Sequence, residues 1–403
     1  MIQTITNVQI IGIGKNFEVI KNGTIRFSQN RILSLHEGIV TEDNDNVIDG
    51  TGHTILPGLM DCHVHLGMDC SPDPFKQIEE DNDATTAFRA ISQGKQFLKH
   101  GITTVRNVGT KNNVDIWYRE AIKEGIVSGP NIVASGMPVV ITGGHGYCMA
   151  IEVDGVEEVR KAVRSQIKEG ADLLKVMATG GVLTKGNDPG SVQLELEELK
   201  CACVEAKKAS KTVAAHAIGL QGIKNAINAG VTTIEHGIFL DDEAIELMIR
   251  NGTYLVPTLI AAELLFRDKN KKTPPYMIEK VKKFIDKHKK SFQNAINAGV
   301  KVAAGTDAGT PFNYPGYLTE ELSLMIDSGM SQLDAIKSAT YHAACSMEIN
   351  DKLGSIEEGL IADLILVKGD PLININDLDN VQHVYQNGRL TVKNPIFEQK
   401  FID

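Results

Sequence analysis

Short, nearly continuous apolar runs alternate with amphipathic stretches along most of the chain. Eight such runs are rich in Val, Ile, Leu and Thr, and they occupy residues 55–66, 102–109, 131–140, 171–178, 212–218, 232–237, 253–260 and 301–307. Runs of this length and composition predict strands that are buried on both faces. The stretches between them, such as VEEVRKAVRSQIKEG and LQGIKNAINAG, have the spacing of apolar positions that is typical of helices.

Several of the predicted helices end in a glycine that comes shortly before the next predicted strand. These glycines are Gly101, Gly170, Gly230 and Gly299. A helix that ends in glycine and is followed by a strand is the expected helix-to-strand junction. Because the strand–helix alternation is repeated eight times, the sequence predicts an α/β fold, a (β/α)8 TIM barrel, over residues 57–354.

The two ends of the chain have a different pattern. The N-terminal segment contains NVQIIG, IRFSQNRILSL and VIDGTG, and the C-terminal segment contains IADLILVKGD and VQHVYQNGRLTVK, with a predicted turn at Asn387–Gly388. These are short strands separated by turn residues, and neither end is large enough to form a core by itself. We therefore expect residues 1–56 and 355–403 to form one small β-sandwich domain.

Composition narrows the class of protein. The chain has 403 residues, of which 42% are hydrophobic and 23% charged, and its net charge of −10 argues against a nucleic-acid binder. No apolar run reaches the roughly 18 residues of a membrane helix, and the N-terminus does not have the pattern of a signal peptide. The six cysteines contain no CxxC pair. We expect a cytoplasmic protein with reduced cysteines.

Histidine and aspartate occur where the predicted strands end. His63 and His65 follow the first strand, and because side chains at i and i+2 share one face, both imidazoles can bind one ion. His216, His236 and Asp307 end the fifth, sixth and eighth strands. Active sites of such barrels lie at the C-terminal ends of the strands, and imidazole with carboxylate suits zinc. These five residues are therefore predicted to be metal ligands.

Lys175 is unusual because it lies in the middle of the fourth apolar strand, in DLLKVMATGG. A buried lysine is costly unless it is paired or neutral. It could form a salt bridge with a carboxylate such as Asp307, or it could point outward to the helices. Alternatively, a neutral amine could take up carbon dioxide and form a carbamate that bridges two metal ions. The residues alone leave these three interpretations open.

The order H-x-H, Lys, His, His, Asp on strands one, four, five, six and eight resembles the amidohydrolase superfamily. ILPGLMDCHVHL is similar to the entry motif of that superfamily, and GSIEEGLIADLILV is similar to its C-terminal β segment. The resemblance implies a carboxylated Lys175 that bridges two divalent metal ions, zinc being expected. It also implies that His63, His65 and Asp307 hold one ion and that His216 and His236 hold the other. A metal-bridging hydroxide would attack the substrate, with Asp307 as general base and acid.

A narrower resemblance is carried by ITTVRNVG, ITGGHG, LLKVMATGG, HAIGLQGIKNAINAGVTTIEHG and YLVPTL. These motifs resemble the branch of zinc carboxypeptidases related to Xaa-Pro dipeptidase (prolidase-like) and imidazolonepropionase. The resemblance implies cleavage of the amide bond of dipeptides or N-acyl amino acids. It also implies that His145 and Tyr254 contact the carbonyl oxygen or another part of the substrate. Tyr254 has a second interpretation, as an aromatic residue of the barrel wall.

The sequence gives less information on the residues that bind the substrate. A substrate carboxylate would need a cationic partner, for which Arg106 and Lys185 are candidates, although a structural role of Arg106 in pairing buried carboxylates is favoured. The polar stretch 262–276 is a candidate lid.

Two other classes of function compete with amide hydrolysis of dipeptides or N-acyl amino acids. The first is a mononuclear deaminase or cyclic-imide hydrolase, which usually has a glutamate in an HxxE motif at the strand-five histidine, where this chain has HAIG. The second is a non-catalytic barrel protein, which would be expected to have lost metal ligands. We expect a homo-oligomer that acts on a small-molecule or dipeptide substrate, without nucleic-acid or membrane partners.

Overall fold

The computed structural model describes residues 2–28, 30–268 and 272–393. Two of the predicted segments extend outside these residues, the C-terminal β segment at 394–403 and the candidate lid at 269–271. In the part of the chain that is described, no helix has both the length and the apolar character that crossing a membrane requires.

The described residues form seventeen strands and thirteen α-helices. The strands are Gln3–Ile13 (β1), Glu18–Ser28 (β2), Arg31–Glu37 (β3), Asn46–Asp49 (β4), His53–Pro57 (β5), Leu59–Val64 (β6), Ile102–Asn107 (β7), Asn131–Ala134 (β8), Val139–Ile141 (β9), Ile151–Val153 (β10), Leu173–Met177 (β11), Thr212–Ala217 (β12), Thr233–His236 (β13), Tyr254–Val256 (β14), Leu364–Lys368 (β15), Val381–Gln386 (β16) and Arg389–Lys393 (β17). The helices are Pro74–Glu80 (α1), Asp83–Lys99 (α2), Val114–Lys123 (α3), Val156–Glu169 (α4), Leu196–Lys208 (α5), Leu220–Ala229 (α6), Asp242–Asn251 (α7), Leu259–Phe266 (α8), Pro275–Lys282 (α9), Ile285–Ala298 (α10), Leu318–Asp327 (α11), Gln332–Ser338 (α12) and Tyr341–Ser346 (α13).

The chain divides into two compact units. The first consists of residues within 1–60, 95–104 and 331–403, and the second of residues 61–94 and 105–330. The first unit thus contains the described parts of both terminal segments, together with segments that the sequence analysis assigned to the barrel. The predicted domain boundaries stay a prediction.

The first unit is built on one mixed sheet. Its strand order is β17-β16-β15-β5-β1-β2-β3, with β4 paired to β1. Buried apolar side chains on its strands form the core of this unit, and the rings of Phe27 and Tyr385 meet edge to face at 4.9 Å. The predicted Asn387–Gly388 turn is confirmed, since it joins the antiparallel strands β16 and β17 and both residues have a positive φ. A sandwich of two β layers stays a prediction.

Parallel strands and helices alternate through the rest of the described chain, which confirms the predicted mixed α/β class. One sheet has the order β10-β9-β11-β12-β13-β14, and another has the order β6-β7-β8. The pairs from β9 to β14 are parallel. Helices α4, α6 and α10 end in the glycines predicted to terminate them, Gly170, Gly230 and Gly299, each in the left-handed conformation.

Several of the predicted strands are shorter than the apolar runs. The run 131–140 is split into β8 and β9, since it contains Gly136 with a positive φ and Pro138, which has no N–H to donate. The run 301–307 does not form a strand; Val302 makes an isolated parallel bridge to Leu255, and Ala308, just after the run, makes one to Val64. Periodicity thus located these segments but overestimated the length of regular hydrogen bonding.

Candidate metal centre and active site

The predicted metal ligands line one cavity of the second unit. Strands β6, β11, β12 and β13 and the segment that ends at Asp307 each bring at least one polar side chain to it. The lining includes all six residues predicted as ligands and also His145, the full polar set being His63, His65, His145, Lys175, His216, His236, His288, Asp307, Thr258 and Thr310. The rest of the lining is mainly aliphatic, aromatic and methionine side chains.

His63, His65 and Asp307 form the tightest cluster. They each offer a ligand atom within 4.8 Å of the others, and the Nε2 atoms of both histidines lie 3.3 Å from Oδ1 of Asp307. The Nδ1 atom of each histidine has a hydrogen-bond acceptor of its own. Nδ1 of His63 lies 2.7 Å from a carboxylate oxygen of Glu235, and Nδ1 of His65 lies 3.0 Å from the carbonyl oxygen of Gly109. Because these Nδ1 atoms donate to the acceptors behind them, both Nε2 atoms are left with lone pairs directed at the cluster.

Asp307 supplies a specific test of whether a cation fits this cluster. Its Oδ1 atom is buried and makes no hydrogen bond within the described residues, although two imidazole nitrogens are 3.3 Å away. A buried carboxylate oxygen without a partner is costly. Burial alone would raise the pKa of Asp307, but His63 and His65, when they are protonated, outweigh burial and lower the pKa below its ordinary value. An ionised oxygen between two imidazole lone pairs fits a divalent cation.

His216 and His236 form a second pair in the same cavity. Nε2 of His236 lies 2.9 Å from Nδ1 of His216, while Nδ1 of His236 lies 2.7 Å from the Thr258 hydroxyl and Nε2 of His216 lies 3.0 Å from the carbonyl oxygen of Gly180. Burial holds the pKa of each imidazole well below its usual value. Both rings are therefore neutral, which is the form that binds metals, and one nitrogen of each faces the other.

Lys175 lies in the middle of β11 with only 2% of its surface exposed. Its side chain lines the cavity, so the interpretation in which it points outward to the helices is wrong. Within the described residues its amine has no hydrogen-bond or ion-pair partner, so the salt bridge with Asp307, one of the interpretations that the sequence left open, is not formed. Burial lowers the pKa of Lys175 to about 8, against the opposing effect of Glu235 and Asp307. The amine is therefore partly neutral near physiological pH.

His145 follows β9 and lines the cavity, as the sequence analysis expected. Its ring lies 4.4 Å from the ring of His216, and its Nδ1 is 2.9 Å from the hydroxyl of Thr184. Burial lowers the pKa of His145 to about 3, so the ring is neutral. A neutral imidazole beside the two predicted metal ligands of β12 and β13 can donate a hydrogen bond to a substrate oxygen.

Tyr254, unlike His145, lies away from the cavity lining. It is not among the described residues that line the cavity, and its half-buried ring has the ammonium of Lys301 5.7 Å from its centre. The reason is its position in β14, because Tyr254 begins this strand whereas the cavity lies beyond its C-terminal end. Thr258, four residues later, lines the cavity instead. The predicted catalytic role of Tyr254 therefore receives no geometric support, and the alternative of a wall residue fits its position.

Arg106 and Glu235 form a buried ion pair behind the cluster. The guanidinium donates to both oxygens of Glu235 at 2.8 and 2.9 Å, to the hydroxyl of Thr233 at 2.9 Å and to the carbonyl oxygen of Cys62 at 2.5 Å. Burial would raise the pKa of Glu235, but Arg106 and His63 lower it to about 2. Arg106 is therefore structural, as favoured from the sequence, and Lys185 is exposed outside the cavity lining.

Glu235, Thr258 and His288 are site residues that sequence reasoning missed. Glu235 orients His63, Thr258 contacts His236 through its hydroxyl, and Nε2 of His288 lies 3.1 Å from the carbonyl oxygen of His236. A signal existed only for Glu235, because a carboxylate in the apolar run TTIEHG must have a buried partner.

Replacing Arg106 by methionine is expected to lower the free energy of unfolding by about 3–5 kcal/mol, since it leaves the carboxylate of Glu235 buried without its ion pair. Urea unfolding measures this change. Arg164→Met is the matched control, because Arg164 is 59% exposed and its partner Glu205 keeps ion pairs with Arg160 and Lys208, so its loss should cost no more than about 1 kcal/mol. Equal losses for the two variants would contradict the structural role of Arg106.

The chain is similar to known proteins over most of its length. A family model for the amidohydrolase family matches residues 54–391. Ochratoxinase from Aspergillus niger is 33% identical over 370 residues, which cover 83% of this chain and 75% of that protein. The crystal structure of a Xaa-Pro dipeptidase with methionine bound in its active site is 36% identical, with a TM-score of 0.89, and covers 98% of this chain and 100% of its own. A prolidase complexed with N-methylphosphonate-L-proline is 30% identical, with a TM-score of 0.91 and the same coverage.

These similarities and the cavity define a hydrolase that acts on carbon–nitrogen bonds. The chain belongs to the amidohydrolase family. The resemblance seen in the sequence is confirmed, including the branch that contains Xaa-Pro dipeptidase.

Proposed function

We propose that this protein is a zinc-dependent amidohydrolase that cleaves the amide bond of dipeptides or N-acyl amino acids, in the manner of a carboxypeptidase or Xaa-Pro dipeptidase. The observation that carries the proposal is the buried Oδ1 atom of Asp307, which has no hydrogen bond within the described residues and lies between two imidazole nitrogens. Such a set of ligand atoms fits a cation at its centre. The amide-cleaving relatives support the reaction class.

The residues of the cavity would hold two divalent ions. His63, His65 and Asp307 would hold one ion, His216 and His236 the other, and Lys175 would be shared. For this role the neutral amine of Lys175 attacks the carbon of carbon dioxide, a nitrogen–carbon bond forms, and one amine proton is released. The product is an anionic carbamate. Within the described residues the amine has no hydrogen-bond partner, and burial lowers its pKa to about 8; both observations support this reaction.

When bound, the two ions would supply a nucleophilic hydroxide near neutral pH and polarise the amide carbonyl. The residues of the chain contribute the proton transfers and the orientation. The carboxylate of Asp307 faces the cavity and can accept a proton from the attacking water and deliver it to the leaving amine. His145, which is neutral and lies beside His216, would donate to the carbonyl oxygen as negative charge develops on it.

The lining of the cavity supports a substrate with an apolar side chain. Met68, Phe75, Leu183, Ile218 and Phe284 all line it. Among the described lining residues there is no arginine, and Lys175 is the single lysine. Burial of an apolar substrate group against these side chains would therefore supply most of the binding free energy.

Metal removal and substrate screening test the proposal. Chelation should abolish amide hydrolysis, and added zinc should restore it, as measured by release of the free amino acid. The substrates to be screened are N-acyl amino acids and the dipeptides Xaa-Pro, Xaa-Leu and Xaa-Arg. Turnover of imidazolones or nucleobases without cleavage of any amide substrate would contradict the proposal.

A deaminase or cyclic-imide hydrolase has less support from the structure. The glutamate of an HxxE motif would stand at position 219, which is Gly219 in this chain. A Cβ atom there would lie 2.2 Å from the carbonyl oxygen of Gly190. Because this contact involves backbone, the local structure does not accommodate an acidic side chain at that position.

The finer architecture is also part of the proposal. We propose a closed (β/α)8 barrel, which is supported by hydrogen bonds of the segment 301–307 on both sides. Ala303 donates to the carbonyl oxygen of Leu255 at 3.0 Å, and Cys62 donates to the carbonyl oxygen of Ala304 at 2.8 Å. The backbone N–H of Asp172 donates to the carbonyl oxygen of Ala134, and this hydrogen bond would join the sheet of β6, β7 and β8 to the six-stranded sheet. A β-sandwich domain, a cytoplasmic location and a homo-oligomeric assembly stay predictions.

A further inference from the structure

The loop Gly181–Thr184 forms one wall of the cavity, and all four of its backbone carbonyl oxygens are bound by helix α9. The ammonium of Lys280 donates to the carbonyl oxygens of Gly181 at 2.9 Å, Val182 at 3.3 Å and Thr184 at 2.6 Å. The hydroxyl of Tyr276 donates to the remaining one, that of Leu183, at 2.8 Å. Four consecutive carbonyl groups of an irregular loop are thus bound by two side chains of one helix.

The spacing of these two side chains explains how they act together. Tyr276 and Lys280 are four residues apart, so they lie on the same face of α9, and the ammonium is 5.5 Å from the centre of the Tyr276 ring. An ammonium has three donors, which equals the number of carbonyl oxygens around it. Hydrogen bonds from a charged donor are stronger than neutral ones, and a loop without strand partners depends on such contacts for its position.

The same loop touches the predicted catalytic residue His145 in two ways. The hydroxyl of Thr184 lies 2.9 Å from Nδ1 of His145 and accepts a hydrogen bond from the backbone N–H of Gly146 at 3.1 Å. Gly181 packs against the face of the imidazole so closely that a Cβ atom there would lie 2.4 Å from the ring. The position of the loop therefore sets the position of His145.

We propose that Lys280 and Tyr276 are positioning residues, which fix the loop Gly181–Thr184 and through it orient His145 toward the substrate carbonyl. Their action on the loop is independent of the proposed function. Their effect on catalysis rests on that proposed function, in which His145 contacts the substrate. Since Val182 and Leu183 also line the cavity, the same two side chains set the shape of its apolar part.

Hydrogen–deuterium exchange of the zinc-loaded full chain tests the action on the loop without any substrate. Lys280→Met keeps the aliphatic stem but removes the donors, so exchange over residues 179–190 should become at least about tenfold faster, with the rest of the chain unchanged. Tyr276→Phe should give a smaller increase, and Lys280→Arg should restore protection. Lys282→Met is the matched control, because Lys282 is an exposed lysine on the same helix.

Kinetics on an amide substrate found in the screen above test the effect on catalysis. Lys280→Met should lower kcat/KM by about tenfold or more through kcat, and Lys280→Arg should recover most of it. Gly181→Ala should lower kcat similarly, because its methyl group displaces the ring of His145. If Lys280→Met destabilises the whole chain, the kinetics of Tyr276→Phe and Lys280→Arg are compared instead. These two variants should keep the wild-type stability, so their kcat values decide whether the two side chains act on catalysis.

Each failure has a different signature. Exchange over residues 179–190 that is equal in Lys280→Met and Lys282→Met would overturn the positioning of the loop. Faster exchange with unchanged kcat would overturn the link to His145. If the wild-type protein cleaves no amide, the proposed function fails while the exchange experiment still gives its answer.

Discussion

Asp307→Asn is expected to lower kcat for amide hydrolysis by at least about 10³-fold, because one carboxylate acts both as a metal ligand and as the group that transfers the proton. Asparagine has nearly the same shape, but its amide oxygen is neutral and a weak base. The Oδ1 atom of Asp307 makes no hydrogen bond within the described residues and lies 3.3 Å from both Nε2 atoms of the H-x-H pair. A neutral oxygen at this position would bind a divalent cation more weakly and would not accept a proton at neutral pH.

The measurement combines steady-state kinetics with the metal content of the purified variant. We expect Asp307→Asn to retain the fold, as shown by circular dichroism, and to lose part of its bound metal. Asp242→Asn is the control, since Asp242 is exposed in the first turn of α7 and should be replaceable without effect. A kcat for Asp307→Asn within tenfold of the wild-type value would rule out proton transfer by this carboxylate.

Five of the residues in the cavity could be predicted from the sequence for the same physical reason. His63, His65, His216, His236 and Asp307 stand at the ends of apolar runs. The ends of parallel strands meet on one side of an α/β fold, so position along the chain is enough to bring them together. Lys175 is different, because the residues alone left three interpretations open and its place among the ligands came from the resemblance to the amidohydrolase superfamily. All six side chains line one cavity.

Tyr254 shows a limit of this reasoning, because it is not among the described residues that line the cavity. The apolar run 253–260 contains Pro257, which cannot donate to a sheet, and β14 ends at Val256. The chain then turns through Thr258, with a φ of 49°, into helix α8. The polar group at the cavity therefore belongs to Thr258 rather than to Tyr254. Periodicity does not reveal where in an apolar run the strand stops.

Contacts between distant segments are a second limit. The hydrogen bond between His63 and Glu235 spans 172 residues, and those from Lys280 to the loop Gly181–Thr184 span 96 to 99 residues. Each depends on the relative placement of two strands, or of a loop and a helix, that packing decides. Local pattern carries no information on such pairs, so the residues that orient the predicted ligands were found only in the structure.

Lys175→Ala is expected to lower kcat by roughly 10³-fold and to reduce the number of bound metal ions, because the variant lacks the carbamate anion that two ions would share. Added short carboxylic acids such as acetate or propionate should restore part of the activity, since the shortened side chain leaves room for a carboxylate at the same place. Metal analysis and kinetics with increasing acid concentration measure both effects. Lys185→Ala is the control, because Lys185 is exposed and lies outside the cavity lining.

Lys175→Arg separates the carbamate from a simple positive charge. Arginine keeps the cation at the centre of β11 but remains protonated and does not form a carbamate, so this variant should be as inactive as Lys175→Ala and should not respond to added acids. A variant Lys175→Ala with two bound ions and wild-type kcat would refute the carbamate. An active Lys175→Arg would instead show that the site needs the positive charge, which Glu235 and Asp307 would stabilise.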